Sequence, residues 1–292
     1  MKVQTLVARE PISATTTFQT PLPEIRRDLR SATLTFSVLT PSLNGATYFQ
    51  QTRDSVMSQT GNFDLQWIVI DGGSHDGTID YLRSLKDPRV QWVSEADHGQ
   101  SAAINKGLGM AGGDIVAWLN SDDLYLPGAL SAVADAFATH PEAQWLIGRC
   151  NIIDKDGQIT RSSITHYKER LLHDYTLKRL LRENMICQPA VFWRRDFGRS
   201  VGFLDESLRY TMDYDLWLRM ARQSRPLIID RTLASFRVHM ASKSRGGHRE
   251  QFNEGYRVAC RYFGNDKISQ FLHRLNVEKI VWGYHTLRLL GR

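Results

Sequence analysis

Residues 90–123 read VQWVSEADHGQSAAINKGLGMAGGDIVAWLNSDD, and the order of residue types in this stretch decides the fold class. Two short runs rich in Val, Ile and Trp, VQWVS (90–94) and DIVAWLN (114–120), flank a segment with helical spacing over 100–111. Strand, helix and strand in that order make a parallel βαβ unit. The alternation extends upstream, with strands expected at LTFSVLT (34–40) and LQWIVID (65–71) and helices at 46–59 and 78–85. Downstream, Pro127 stands where a helix over 128–139 starts, and WLIGR (145–149) follows as a strand. Runs as continuously apolar as LQWIVI need cover on both faces of the sheet.

After residue 150 the pattern becomes mixed. Asp156-Gly157 marks a tight turn, so 151–164 is expected to be a hairpin. A charged helix is expected over 167–183, a strand over 188–195, a helix over 213–223 and one or two strands within 227–238. Residues 249–290 are mainly helical by spacing. The expectation is one α/β domain: a mostly parallel sheet flanked by helices, with a mixed second half and C-terminal helices.

Composition sets outer bounds. The 292 residues are 42% hydrophobic and 23% charged, which excludes collagenous, mucin-like and largely disordered chains. Cys150, Cys187 and Cys260 share no close spacing, so neither a disulfide framework nor a zinc knuckle is expected. No run approaches the ~18 apolar residues of a membrane span. Glu10 and Pro11 interrupt the N-terminal stretch early, so no secretory signal is expected. Residues 1–242 balance 27 Lys/Arg against 27 Asp/Glu, whereas 243–292 hold 10 against 4 and therefore carry the whole net +6. A basic tail faces nucleic acid, anionic lipid, a phosphorylated substrate or simply solvent.

The polar residues of the first half gather at strand ends. Pro41–Asn44, Asp71–Ser74, Asp97–Gln100 and Asn120–Asp123 each follow an apolar strand. In open parallel sheets that edge is where ligands bind. Asp122 and Asp123 repel each other unless a cation or donor set compensates, and a hard divalent ion with oxygen ligands does so. Neither G-x-G-x-x-G nor G-x-x-x-x-G-K-[ST] occurs, which disfavours a dinucleotide dehydrogenase or a P-loop ATPase.

The segments SVLTPSLNG, IVIDGGSHDGT, SEADHGQSAAINKGLGMAGGDIVAWLNSDD, QPAVFW and GFLDESLRYTMDYDLWLRM, in this order, resemble family 2 glycosyltransferases of the GT-A fold. The resemblance runs from residue 34 to about 245. It implies a nucleotide-diphospho-sugar donor, a divalent cation (Mn²⁺ or Mg²⁺) and transfer with inversion. With the Thr/Pro-rich start and the basic tail outside it, the expected division is an N-terminal extension (1–33), a catalytic domain (34–245) and a basic C-terminal helical segment (246–292). Within the catalytic domain, 34–123 is the nucleotide-binding half and 124–245 the acceptor-side half.

Carried onto this chain, Asp71 resembles the aspartate that hydrogen-bonds the base, and Pro41, Ser42 and Asn44 line the same pocket. Asp122 and Asp123 resemble the metal and diphosphate motif, with Ser121-Asp122-Asp123 in place of Asp-x-Asp; which of the two touches the ion stays open. Asp213, in Met212-Asp213-Tyr214-Asp215, resembles the catalytic base, and His239 resembles the late histidine near the metal. Asp97 and Gln100 are the candidates for sugar or ribose contacts; Gln188 and Asp215 are placed on the acceptor side. Single displacement at an anomeric carbon needs a group that stabilises the leaving diphosphate and a base for the acceptor hydroxyl, but no covalent nucleophile. Trp67, Trp92 and Trp118 lie within apolar strands and are assigned to the core rather than to sugar stacking.

The expected reaction moves a sugar, with a uridine donor favoured, to a hydroxyl of a glycan or lipid-linked glycan in polysaccharide or cell-envelope assembly. The alternatives are a sugar-phosphate nucleotidyltransferase, which wants a glycine-rich basic loop after the first strand, and a non-enzymatic nucleic-acid binder. Zinc-finger, KH and RRM spacings are absent, so no nucleic acid is expected. The expected location is the cytoplasm, with peripheral contact at an anionic inner membrane face as the variant the basic tail allows.

Overall fold

A computed structural model describes residues 33–240 and 248–289. The strands are β1 (Leu34–Ser42), β2 (Phe63–Asp71), β3 (Val90–Ser94), β4 (Ile115–Trp118), β5 (Leu124–Tyr125), β6 (Trp145–Ile153), β7 (Val191–Arg194) and β8 (Leu227–Arg237). Among the described residues they form one sheet in the order β3-β2-β1-β4-β7-β6-β8-β5. The helices of the first half are α1 (Ala46–Met57), α2 (Thr78–Ser84), α3 (Gln100–Met110) and α4 (Ala129–Thr139). Those of the second half are α5 (Ser162–His173), α6 (Leu177–Arg182), α7 (Arg195–Val201), α8 (Met212–Gln223), α9 (His248–Cys260) and α10 (Lys267–Leu289).

Strand direction explains where the site collects. Strands β1, β2, β3 and β4 are parallel; β7 is antiparallel to both β4 and β6, and β8 is parallel to β6. The carboxyl ends of β1–β4, β6 and β8 therefore share one edge of the sheet, and β7 starts at that edge. Alternate side chains feed two cores. Phe36, Val38, Trp67 and Val69 pack with α1 and α4 on one face. Leu39, Ile68, Ile70 and Trp118 pack with α3, α8 and α9 on the other. Trp67 and Trp118 are buried as expected, and Trp92 is half-buried against the first of these cores. Gly113 lets the chain cross close to β1: a Cβ there would lie 2.6 Å from the Thr35 carbonyl oxygen.

Several elements depart from the sequence expectation. The hairpin expected over 151–164 reduces to one bridge, Ile153 to Ile159, because β6 continues to Ile153 and Asp154 then closes the turn. The Asp154 carboxylate accepts the backbone N–H groups of Asp156 and Gln158, both at 2.9 Å. The helix expected over 167–183 is two helices. Thr176 caps α6 by accepting the Arg179 N–H at 3.0 Å, and this starts a new helix instead of continuing α5. Residues 227–237 form one strand, and β5 and α7 were not expected. The N-terminal extension lies, through residue 32, outside the described residues, as does the expected domain limit at 245.

Helices α9 and α10 pack together, α9 against α8 and α10 against α6, with Val258, Ala259 and Phe263 joining the core on that side of the sheet. Glu254 of α9 reaches the start of α8. Its carboxylate accepts the N–H groups of Arg209, Tyr210 and Thr211 and the Thr211 hydroxyl, at 2.7–3.0 Å. Burial pushes this carboxyl up, but the four donors outweigh it and hold Glu254 below the usual range. Glu254→Ala leaves three N–H groups without their partner, that of Thr211 buried and those of Arg209 and Tyr210 partly so, and the expected loss of folding stability is about 1–3 kcal/mol. Urea unfolding of the variant checks it; an unchanged midpoint contradicts this role.

Candidate active site

The loops after β1 and β2 are laced to each other. Ser42 pairs with Asp71 in register, and the Gly72 N–H donates to the Ser42 carbonyl at 2.8 Å. Asn44 takes a left-handed backbone (φ 53°); its N–H donates to Ser74 Oγ at 2.7 Å and its Oδ1 accepts the His75 N–H at 2.9 Å. Asp71 is fully buried. Its Oδ2 accepts from Gly73 N (3.0 Å), Ser74 N (2.9 Å) and Ser94 Oγ (2.7 Å), and its Oδ1 from Ser74 Oγ (2.5 Å). Three of these four donors crowd Oδ2 and one meets Oδ1, so Oδ1 is the less occupied oxygen. Gly73 supports this turn at φ 85°, and Gly72 leaves space that a Cβ would close to 2.8 Å from Asp97 Oδ2. Ser42 Oγ is buried without a protein partner, so the first loop holds a free hydroxyl beside this turn.

The chain after β4 carries a polar network. Asn120 Oδ1 accepts Gln100 Nε2 at 2.9 Å and Trp118 Nε1 at 2.8 Å, while Asn120 Nδ2 donates to Asp123 Oδ2 (3.0 Å) and Gln188 Oε1 (3.1 Å). Gln188 also donates to the Trp118 carbonyl. Because β7 is antiparallel, the short 3-10 turn that leads into it, Gln188–Ala190, lies at the same edge as the ends of β3 and β4.

The two adjacent carboxylates have different surroundings. Asp123 is fully buried, its Oδ1 accepting the Arg237 N–H at 2.9 Å. Burial, and then the Asp122 charge beside it, push its carboxyl up. Asp122 is partly accessible, and its Oδ2 lies 2.9 Å from His239 Nε2. The buried Arg237 guanidinium braces this corner. It donates to the Asp122 carbonyl (2.9 Å) and to Gln51 Oε1 (2.8 Å), and lies 4.5 Å from the Tyr48 ring centroid. The Tyr48 ring is in turn 4.9 Å from that of His239. A hard divalent ion commonly uses one or two carboxylates with substrate phosphates completing its shell. One carboxylate and one imidazole at 2.9 Å fit that pattern, although no set of three His, Cys, Asp or Glu gathers among the described residues.

Asp213 opens α8 and is half-buried at the wall of a cavity of about 530 Å³ that Gln188 also lines. Burial pushes its carboxyl up to about 6, opposed by the Tyr214 N–H (2.8 Å) and the Lys168 ammonium. A carboxylate poised near neutrality suits general-base work. Asp215 corrects the expectation of an acceptor-side role. It is buried away from the cavity lining, bonded to Arg219 Nε (2.8 Å) and Tyr262 OH (2.7 Å), because residues two apart on a helix do not share a face. Asn105 and Lys106 are both engaged elsewhere, Asn105 with Leu204 and Glu206, Lys106 with Glu95.

The structure thus brings Pro41, Ser42, Asn44, Asp71, Asp97, Gln100, Asp122 and His239 to one edge of the sheet, with Gln188 joining them to the Asp213 cavity. Sequence reasoning missed Arg237, Tyr48 and Glu254. An arginine inside the apolar run ASFRV was a signal for the first; nothing local marked the other two.

The profile of the family described as Glycosyl transferase family 2 matches residues 37–199 of this chain. The chain belongs to that family. An uncharacterized glycosyltransferase of Rickettsia conorii is 25% identical over 255 residues, covering 84% of this chain and 39% of the relative. Another, of Rickettsia typhi, is 28% identical, and the chain spans 64% of it. A PGL/p-HBAD biosynthesis glycosyltransferase of Mycobacterium bovis is 31% identical over 67% of this chain and 72% of that protein. Among solved structures, this family 2 chain is similar to Staphylococcus aureus TarS 1–349 in complex with UDP-GlcNAc. The TM-score is 0.61 at 16% identity, over 79% of this chain and 67% of that 1–349 fragment. Similar too is the mannosyltransferase PcManGT of Pyrobaculum calidifontis in complex with GDP-Man and Mn²⁺. Its TM-score is 0.60 at 15% identity, over 89% of this chain and 82% of that one. At these identities the structures establish the GT-A-like fold of the family 2 chain.

Proposed function

We propose that the chain transfers a sugar from a nucleotide-diphospho-sugar to an acceptor hydroxyl by single displacement with inversion. The observation that carries this reading is Asp213: a carboxyl pushed up to about 6, at the wall of a cavity that Gln188 links through Asn120 to Asp123, the neighbour of Asp122. In this reading Asp71 receives a base N–H on Oδ1, its less occupied oxygen. The Ser42 hydroxyl and Asn44 flank that base, Asp97 and Gln100 face ribose or sugar, and Gln188 orients the acceptor. Asp213 takes the proton of the attacking hydroxyl. Uracil N3–H and guanine N1–H both suit Asp71, in keeping with the UDP-GlcNAc and GDP-Man named for TarS and PcManGT.

Asp122 and His239 would hold a divalent cation, Mn²⁺ or Mg²⁺, which when bound neutralises charge on a leaving diphosphate. Asp123 serves that site indirectly, by fixing β8 through the Arg237 N–H. Incubation with a panel of nucleotide-sugars tests the proposal through release of nucleoside diphosphate. Release from none of them, with Mn²⁺ and Mg²⁺ both supplied, overturns it.

The acceptor class proposed is a glycan or lipid-linked glycan, in cell-envelope assembly at the cytoplasmic face of the membrane. No described helix is long and apolar enough to cross a membrane. Peripheral contact is supported by α10, which exposes Ile268, Phe271 and Leu275 at helical spacing beside Lys267 and Arg274. Each basic residue near an anionic surface adds ~1 kcal/mol, so binding should fall steeply with salt. Sedimentation with anionic vesicles at low and high salt measures this; equal recovery in the supernatant under all conditions contradicts it.

A further inference from the structure

The Asp213 cavity holds more than a proton-transfer site. Charged and amide groups sit at intervals on its wall, but most of the accessible wall is apolar, including Ile152, Ile164, Leu172, Ile186, Phe252 and Val277. The charged groups on the wall are mostly engaged with each other or with polar neighbours. Arg149 meets Asp230, Glu183 accepts the Tyr167 hydroxyl at 2.8 Å, and Arg182 donates to Ser269 at 3.0 Å. Thr165 Oγ1, also on the wall, is buried without a protein partner. Ile164 and Tyr167 of α5 are 37% and 47% exposed, so the cavity reaches solvent beside apolar side chains.

The geometry points to an amphiphilic acceptor: an alcohol whose hydroxyl meets Asp213 and whose apolar moiety, an acyl chain or aryl group, fills this cavity. The inference rests on the transferase reading above and specifies its acceptor. A volume of about 530 Å³ is that of a small-molecule pocket rather than a groove for an extended polysaccharide. A glycan stripped of water against Ile152, Ile186 and Val277 would leave hydroxyls unpaired, at a cost of about 1–3 kcal/mol each. An apolar moiety incurs no such penalty and gains from leaving water, while one polar linkage can meet Thr165 Oγ1.

Gly255 of α9 offers a way to fill the space. It lines the cavity, and a Cβ there meets only Thr211 Cγ2 at 3.6 Å and Tyr214 Cδ1 at 4.0 Å, both ordinary contacts. The test is calorimetric binding, without donor turnover, of n-octyl β-glucoside below its micelle concentration against methyl β-glucoside. The two share one head and differ only in the tail. Each buried methylene is worth about fourfold in affinity, so the octyl compound is expected to bind at least ~30-fold more tightly to the wild-type chain. Gly255→Leu, and independently Ile164→Glu at the exposed side of the cavity, are expected to remove most of that ratio while uridine diphosphate binding is retained. Equal affinity for the two glucosides, or a tail preference unaffected by both variants, overturns the inference. Tail-dependent binding with no nucleoside diphosphate released from any donor upholds the cavity assignment and overturns the transferase reading instead.

Discussion

Asp213→Asn is expected to lower sugar transfer by about 10²–10⁴-fold while donor binding stays within a few-fold of wild type. The amide keeps the shape and the Tyr214 N–H contact but cannot take a proton. Because burial lifts this carboxyl to about 6, the wild-type rate should fall as pH drops through that value, well above the ordinary carboxylate range. The same shift has a stability consequence. Below pH ~4 the carboxyl is protonated in both folded and unfolded chains. As pH rises towards 6 the unfolded chain releases its proton first, so folding stability falls across that window and then levels off. Asp213→Asn should therefore be more stable than wild type above pH 6, by an amount of order 1–3 kcal/mol, and about equally stable near pH 4. Paired melts at the two pH values check the sign. A variant no more stable at pH 7.5 contradicts the burial argument, and donor affinity lost together with activity moves Asp213 into the donor pocket.

Asp122→Ala should cost ~10²-fold or more in transfer, since a Lewis-acid site is worth several kcal/mol of charge stabilisation. The fold should survive, because Asp122 is partly accessible and Arg237 bonds its carbonyl rather than its side chain. A readout independent of turnover is available: Mn²⁺ should tighten nucleoside diphosphate binding by the wild-type chain and leave the variant unaffected. Asp123→Ala differs in kind. It removes a fully buried partner of the Arg237 N–H and of Asn120, so it should lower the unfolding midpoint as well as activity. Turnover that persists unchanged through thorough chelation contradicts the metal assignment.

The first half of the chain was legible because local signals and tertiary outcome agree there. Apolar strands such as LQWIVID end at their polar loops, and parallel pairing carries those ends to one edge, so Asp71, Asp97 and Asp122 could be placed from spacing and resemblance. The second half was less legible because its elements are set by long-range contacts. The break between α5 and α6 depends on one threonine cap, and the two-residue β5 exists only through its pairing with β8. The different fates of Asp122 and Asp123 could not be read from adjacency; they follow from Arg237 on β8, which only the folded chain brings near. The split between Asp213 and Asp215 was legible in part, because residues two apart on a helix do not share a face and Arg219 lies one helical turn beyond Asp215, whereas the Tyr262 contact needed the fold. Glu254, which anchors the approach to α8 from 43–45 residues downstream, has no local signature at all.

The central claim is single displacement with Asp213 as the base, and the anomeric configuration of the product tests it most directly. Proton NMR of the early product from an α-linked donor should show a β-glycoside with the wild-type chain. Under the same conditions Asp213→Asn should yield almost none. A product that retains the donor's configuration, or undiminished turnover by Asp213→Asn, would contradict the account.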